Sequence, residues 1–174
     1  MKEIVKNIKV IITDVDGVLT DGGLYYSEDG LLLKKFNVQD GLGIKLAQMA
    51  NLEIIVITGL KSQAVKQRIT ELGIQEFYEG KLKKQDIIKK IAKEKNIKFE
   101  EMAYIGDDWV DGPPMKMVGL PMAVKNAQPE IKALAKWISS KNGGDGAVRE
   151  AINFILREQG KLEALWERWL NQEF

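Results

Sequence analysis

Histidine and cysteine are absent from the 174 residues of this chain, and proline occurs only four times. Without cysteine there are no disulfides, thiolate zinc sites or thiol nucleophiles. Without histidine the commonest general base and the commonest transition-metal ligand are missing too. Any chemistry must therefore run on carboxylates, lysines, hydroxyls and backbone amides. Long apolar runs are also lacking. The longest, such as residues 54–57, hold about four residues, against the roughly 20 needed to span a bilayer. Neither sign of charge is in excess: 26 Lys and Arg stand against 25 Asp and Glu, for a net charge of +1. Lysines alternate with glutamates through the predicted helices, which makes solvated faces and not a stripe for nucleic acid. The opening MKEIVKNIKV lacks the apolar core of a secretion signal. A cytoplasmic protein with no nucleic-acid or membrane partner is the expectation.

The length suits one domain that buries about two thirds of its unfolded surface. Its organising stretch is residues 8–22, IKVIITDVDGVLTDG. Ile8, Val10, Ile11 and Ile12 read as a parallel strand covered on both faces, which need not alternate. The strand ends in Asp14 and Asp16, at the carboxyl edge where open α/β sheets bind ligands. Gly17 frees the backbone to turn and to bring its N–H near an anion. Two carboxylates that close repel, and a hard divalent cation such as Mg2+ relieves them while leaving room for phosphate oxygens. A lone Asp-Val-Asp-Gly also reads as a strand followed by an Asx-type turn, so the rest of the chain decides.

Residues 24–26 and 31–36 are apolar, β-rich runs around Ser27-Glu28-Asp29-Gly30, with Asp-Gly as the turn signal of a hairpin. A two-stranded hairpin is marginal alone, so docking on another subunit is expected. From Asp40 the spacing of Leu42, Leu46, Met49 and Ala50 predicts a helix, followed by a strand over 53–57 ending at Thr58-Gly59. Helices are predicted over 61–72, closed by Gly73, and over 84–96, around 115–118, over 129–136 and over 147–158. Short strands are predicted over 75–78, 102–105, 121–124 and 137–139. Residues 142–146 read as a flexible loop. The alternation implies a doubly wound parallel α/β sheet, with residues 1–160 as the main domain. Residues 161–174 form an amphipathic helical tail with Leu162, Leu165, Trp166, Trp169 and Leu170 on one stripe, packing on its own domain or on a neighbouring subunit.

Three predicted strands end in polar signatures: Asp14 to Gly17, Thr58-Gly59 and Gly106-Asp107-Asp108. Lys84 lies between the last two. On a doubly wound sheet these ends converge, and together they suit phosphoryl transfer. Asp14 is the candidate nucleophile. Asp16 is the candidate acid and base, protonating the leaving alcohol and then deprotonating water. Asp14, Asp16 through its backbone carbonyl, and Asp107 form the candidate Mg2+ shell, with Asp108 and Asp111 as candidate supports beside it. Thr58 offers a hydroxyl, Gly17 and Gly59 offer N–H groups, and Lys84 offers a compact positive charge. Singly, Thr58-Gly59 also reads as a strand terminus, and Lys84 as solvated surface.

The order Asp-x-Asp, Thr, Lys, Gly-Asp-Asp resembles the haloacid dehalogenase superfamily. More closely, DVDGVLTDG, FNVQDGLGIKL, ITGLKS with Arg68, YEGKLKK, YIGDDWVDGPPM, VGLPMAV and GGDGAVREA resemble its capless 3-deoxy-D-manno-octulosonate 8-phosphate phosphatases. The resemblance implies a Rossmann-like sheet without a large cap and a Mg2+-dependent phosphomonoesterase acting on a sugar-acid phosphate. It also implies a homotetramer in which one subunit's hairpin covers the next subunit's site. It carries substrate contacts over to Asp16, Asn37, Val38, Gln39, Asp40, Gly41, Lys45, Arg68 and Lys84, and metal ligands to Asp14, Asp16 and Asp107. Leu60 stands where the family commonly has Arg, and Gln39, Lys45 and Asp145 also replace frequent arginines. Gly112 and Pro114 replace bulkier residues. A phosphatase for a nine-carbon sugar acid or another small ester, a phospho-accepting receiver-like module and a non-catalytic oligomeric relative are the alternatives.

Overall fold

A computed structural model describes residues 2–30 and 32–173. Met1, Leu31 at the start of the second hairpin run, and Phe174 at the end of the tail lie outside the described residues. In chain order the elements are α1 (Lys2–Lys6), β1 (Val10–Thr13), β2 (Tyr25–Tyr26), β3 (Leu32–Leu33), α2 (Val38–Met49), β4 (Glu53–Ile57), α3 (Gln63–Leu72), β5 (Glu76–Tyr78) and α4 (Lys84–Lys95). They continue as β6 (Met102–Gly106), α5 (Gly112–Met115), β7 (Leu120–Ala123), α6 (Pro129–Leu134), β8 (Trp137–Ile138), α7 (Ala147–Glu158) and α8 (Leu162–Leu170). Among the described residues no helix is long and apolar enough to cross a membrane.

Six strands form one parallel sheet in the order β5-β4-β1-β6-β7-β8. The chain winds outward from β1 through β4 to β5, then returns to the other side of β1 and winds out through β6, β7 and β8. The switch point thus falls at β1, where open α/β sheets carry their ligand crevice. Helices α1, α2, α3, α7 and α8 gather on one face, and α4, α5 and α6 on the other. Covered on both sides, β1 is buried throughout as Val-Ile-Ile-Thr, without alternation. Thr13 pairs with Val56 on one side and Ile105 on the other, so three strands end nearly level.

The hairpin β2–β3 forms its own two-stranded sheet, tied to the body by a bridge between Thr20 and Phe36. Leu24, Tyr25, Tyr26 and Leu33 are exposed on it.

Helix α2 begins at Val38, two residues before the spacing predicted, because the Asn37 side chain accepts the Gln39 amide at 2.7 Å as an N-cap. Its buried face also differs from the predicted stripe. Asp40, Gly41, Gly43, Ile44, Leu46 and Ala47 are buried, while Leu42 is exposed and Met49 only half-buried. The two glycines allow close approach to α3 and α7: a Cβ on Gly43 would meet Arg149 Cα at 3.0 Å. Smallness, not apolarity, marks that contact, so apolar spacing found Leu46 and Ala50 on the buried face but missed the glycines beside them.

Two further expectations are corrected. The short helix lies at Gly112–Met115, after a 3-10 turn over Trp109–Asp111, because the Pro113-Pro114 pair suits a helix start. The loop 142–146 is packed: Gly143 N donates to Asn126 Oδ1 at 2.9 Å and Gly144 N to Val18 O at 3.0 Å. A Cβ on either glycine would overlap the backbone of residues 17–21. Helix α8 packs on α7 through Leu165, with Leu162 and Trp169 half-buried, whereas Trp166 and Leu170 are exposed.

Candidate active site

The level ends of β1, β4 and β6 place Asp14, Thr58 and Asp107 just beyond the sheet's carboxyl edge. The first and third loops touch: Gly17 sits at φ +86°, and a Cβ there would run into the Asp107 carboxylate. Gly143 lies over the Gly17 carbonyl, and Gly17 N donates to Thr20 Oγ1 at 3.3 Å. Thr58 is buried; its Oγ1 accepts the Leu60 amide at 3.4 Å, and its carbonyl accepts the Lys81 amide at 2.9 Å. Gly59 lies beneath Leu82.

Lys84, at the start of α4, is fully buried and not part of a solvated lysine face. Its Nζ lies 2.8 Å from Asp14 Oδ1 and 2.7 Å from Asp111 Oδ1. Oxygens of Asp14, Asp107 and Asp111 all fall within 4.8 Å of one another. Three carboxylates against one ammonium leave two negative charges in a largely buried space. Burial, then the Asp111 and Asp14 charges, push Asp107 up to about 8. Burial, then Asp111, push Asp14 up to about 7 in spite of Lys84. For Lys84 burial acts downward, but Asp14 and Asp111 outweigh it and its pKa rises. The directions agree: the ammonium holds its proton, and the carboxylates lack a second positive charge.

Asp111 differs from the other two acids. Its Oδ1 accepts Lys84 Nζ and the Tyr104 hydroxyl, each at 2.7 Å, and its Oδ2 accepts the amides of Asp107 at 2.9 Å and Asp108 at 3.3 Å. Four donors use up its acceptor sites. By contrast, Asp107 Oδ1 is buried and accepts no hydrogen bond among the described residues, while Asp14 Oδ1 faces the Lys84 ammonium at 2.8 Å. Buried oxygens left this way are costly unless something binds them. A hard divalent cation fits both the charge deficit and the all-oxygen donor set.

The remaining predicted residues divide. Asp16 stands two residues after Asp14 in the turn that follows β1, its side chain 28% exposed and paired with Lys34. Asp108 caps the 3-10 turn by accepting the Trp109 amide at 2.7 Å. Within one chain, residues 37–41 serve α2 and its neighbours: Asp40 is buried and accepts the amides of Gly146 at 3.3 Å and Arg149 at 2.8 Å. It thereby caps α7, whose own N-cap is a glycine. Val38 is exposed, and Gln39 lies near Gly146. Gly41 packs under Arg68, which pairs with Glu71 at 3.4 Å and reaches Asn37 O at 3.5 Å. Lys45 is not brought to the acids; its Nζ donates to Leu72 O at 2.6 Å, at the end of α3. Sequence reasoning missed Tyr104 and Lys34. A tyrosine inside a fully buried strand, three residues before Asp107, was a signal for the first; Lys34 carried none.

Residues 70–152 match the haloacid dehalogenase-like hydrolases. Sheet order, strand-end acids and buried lysine agree with that match, and together they define a hydrolase of this class. The 3-deoxy-D-manno-octulosonate 8-phosphate phosphatase of Haemophilus influenzae is 43% identical over 161 residues, covering 92% of this chain and 89% of the relative. The chain belongs to this phosphatase family. The crystal structure of the Yersinia pestis phosphatase superposes with a TM-score of 0.90 at 38% identity, over 93% of this chain and 88% of that one. The Moraxella catarrhalis phosphatase, in complex with a magnesium ion, a phosphate ion and a KDO molecule, gives 0.94 at 34% identity, over 97% of each chain.

Proposed function

We propose that the protein is a Mg2+-dependent phosphomonoesterase that hydrolyses 3-deoxy-D-manno-octulosonate 8-phosphate. The observation that carries the reading is the switch-point cluster, in which Asp14 is paired with Lys84 and Asp107 keeps a buried oxygen without a hydrogen bond among the described residues. Asp14 and Asp107, with the Asp16 carbonyl, would hold Mg2+, which when bound neutralises phosphoryl oxygens and orients the ester. An oxygen of Asp14 attacks phosphorus in line as the phosphorus–alkoxide bond breaks, and Asp16 gives its proton to the leaving oxygen. Water then displaces Asp14 from the phosphoryl group while Asp16 takes up the water's proton. Lys84, the Thr58 hydroxyl and the Gly17 and Gly59 amides would stabilise the charge on the transferring group. Leu60, exposed beside Thr58 where the family commonly has Arg, leaves a nine-carbon acid as the competing substrate. The apolar hairpin surface supports a homo-oligomer, with a homotetramer as our reading, and we place the reaction in the cytoplasm.

Phosphate release from a panel of alkyl phosphates tests this reading. The octulosonate ester should be preferred, and chelation of Mg2+ should abolish turnover; a nine-carbon ester turned over faster would reassign the substrate, and metal-independent release would remove the mechanism. A second test needs no turnover. Without metal, burial raises Asp14 to about 7 and Asp107 to about 8, so the protonated forms are favoured at pH 6 and the ionised forms at pH 8.5. A carboxyl raised in this way contributes stability below its unfolded value and loses it as pH rises through the folded value. Mg2+ needs the ionised groups, so the rise in melting temperature at fixed Mg2+ should be larger at pH 8.5 than at pH 6. Equal shifts would mean that the metal binds elsewhere.

A further inference from the structure

Lys34 follows β3 at the base of the hairpin, yet its side chain is only 2% exposed. Its neighbour Lys35 points outward, 62% exposed, and reaches Asp21 only at 3.9 Å. Adjacent residues on an extended segment face opposite ways, so the chain turns one lysine inward here. A buried ammonium costs several kcal/mol unless it is paired. The pairing seen is with Oδ1 of Asp16, 18 residues away in sequence.

The turn that carries Asp16 is held by its own backbone: Val18 N and Thr20 N both donate to Val15 O, at 3.2 and 3.0 Å. This fixes the main chain around Asp16 but not its carboxylate torsion. Lys34 supplies that constraint from another element. A carboxyl that moves a proton must bring one oxygen within about 2.6–3.2 Å of the reacting group, and misplacement by about 1 Å can cost on the order of 100-fold.

We propose that Lys34 is a positioning residue for proton transfer, holding one oxygen of Asp16 so that the other is aimed at the leaving group and then at the attacking water. The proposal rests on the reading of Asp16 as acid and base. When Asp16 gives its proton to the departing alkoxide, the carboxylate formed already has the Lys34 ammonium beside it. When water attacks, its proton passes to Asp16, and the neutral acid is restored for the next ester. The hairpin stem is thereby coupled to the chemistry.

The test compares two leaving groups in the Mg2+-loaded full chain. An alkyl phosphate such as the octulosonate ester needs an acid to leave, whereas 4-nitrophenyl phosphate leaves as a stable phenolate. Lys34→Met should lower kcat for the alkyl ester by about 30-fold or more, within the range for general acid catalysis. It should lower kcat for the aryl ester by less than about 3-fold. Lys34→Arg, which keeps the charge, should recover most of the alkyl activity. Equal losses on both esters would assign Lys34 to fastening the hairpin alone and overturn the proposal, as would no loss on either. Lys34→Gln gives the same comparison should the Met variant fail to fold. Failure of the underlying reading is distinguishable: wild-type protein that released phosphate from neither ester, or an active Asp14→Asn variant, would remove the phosphatase mechanism whatever Lys34 does.

Discussion

Asp14→Asn is expected to lower kcat for the phosphate ester by on the order of 10^4-fold or more, the scale of loss when a covalent nucleophile is removed. The amide nearly matches the carboxylate in shape, so the ion pair to Lys84 is lost without opening a cavity. It also removes one of the three acids that crowd within 4.8 Å, and the metal-free variant should keep or gain thermal stability. Loss of turnover together with unchanged or raised melting temperature would separate a chemical role from a structural one. Turnover within about 10-fold of wild type would mean that the phosphoryl group goes directly to water, with Asp14 acting only as an electrostatic support.

Asp111→Ala should produce the largest loss of stability. The carboxylate is fully buried and accepts from Lys84, Tyr104 and the amides of Asp107 and Asp108. Removing it strands a hydroxyl and two N–H groups in the interior and leaves the buried ammonium of Lys84 with Asp14 alone. Breaking a buried pair by deleting one partner costs about 3–5 kcal/mol, which for a chain of this size lowers the melting temperature by roughly 6–20 °C. Thermal unfolding in chelator measures it. A drop of only a degree or two would show that Lys84 is held by Asp14 alone and that the loop after β6 does not depend on Asp111. The expectation differs from that for Asp14, although both acids touch Lys84, because Asp111 also accepts from Tyr104 and two backbone amides, which Asp14→Asn leaves undisturbed.

Much of this site is legible along the chain because parallel strands impose a rule on position. A run such as Val10-Ile11-Ile12 must be covered on both faces, and the residue that follows it must lie at the carboxyl edge. Asp14, Thr58 and Asp107 could thus be placed without coordinates. Asp111 and Tyr104 were harder. The first is buried through contacts with α4 and β6 that no spacing encodes, and the second is polar only at its tip, so it reads as one more core side chain. Asp40 and Lys45 are less legible: polar residues on a helix look the same in sequence whatever they face, and within one chain these two meet neighbouring helix ends.

Pattern and family resemblance in the letters alone determined a parallel α/β sheet, strand ends rich in acids, and chemistry restricted to oxygen and ammonium groups. Only the tertiary structure decided how the charges are shared: one buried lysine divided between two carboxylates, a third carboxylate left short of a partner, and a hairpin lysine turned in toward Asp16. The physical reason is range. Strand periodicity acts between residues two apart, whereas the energy of a buried charge depends on every group packed around it, however distant those groups stand along the chain.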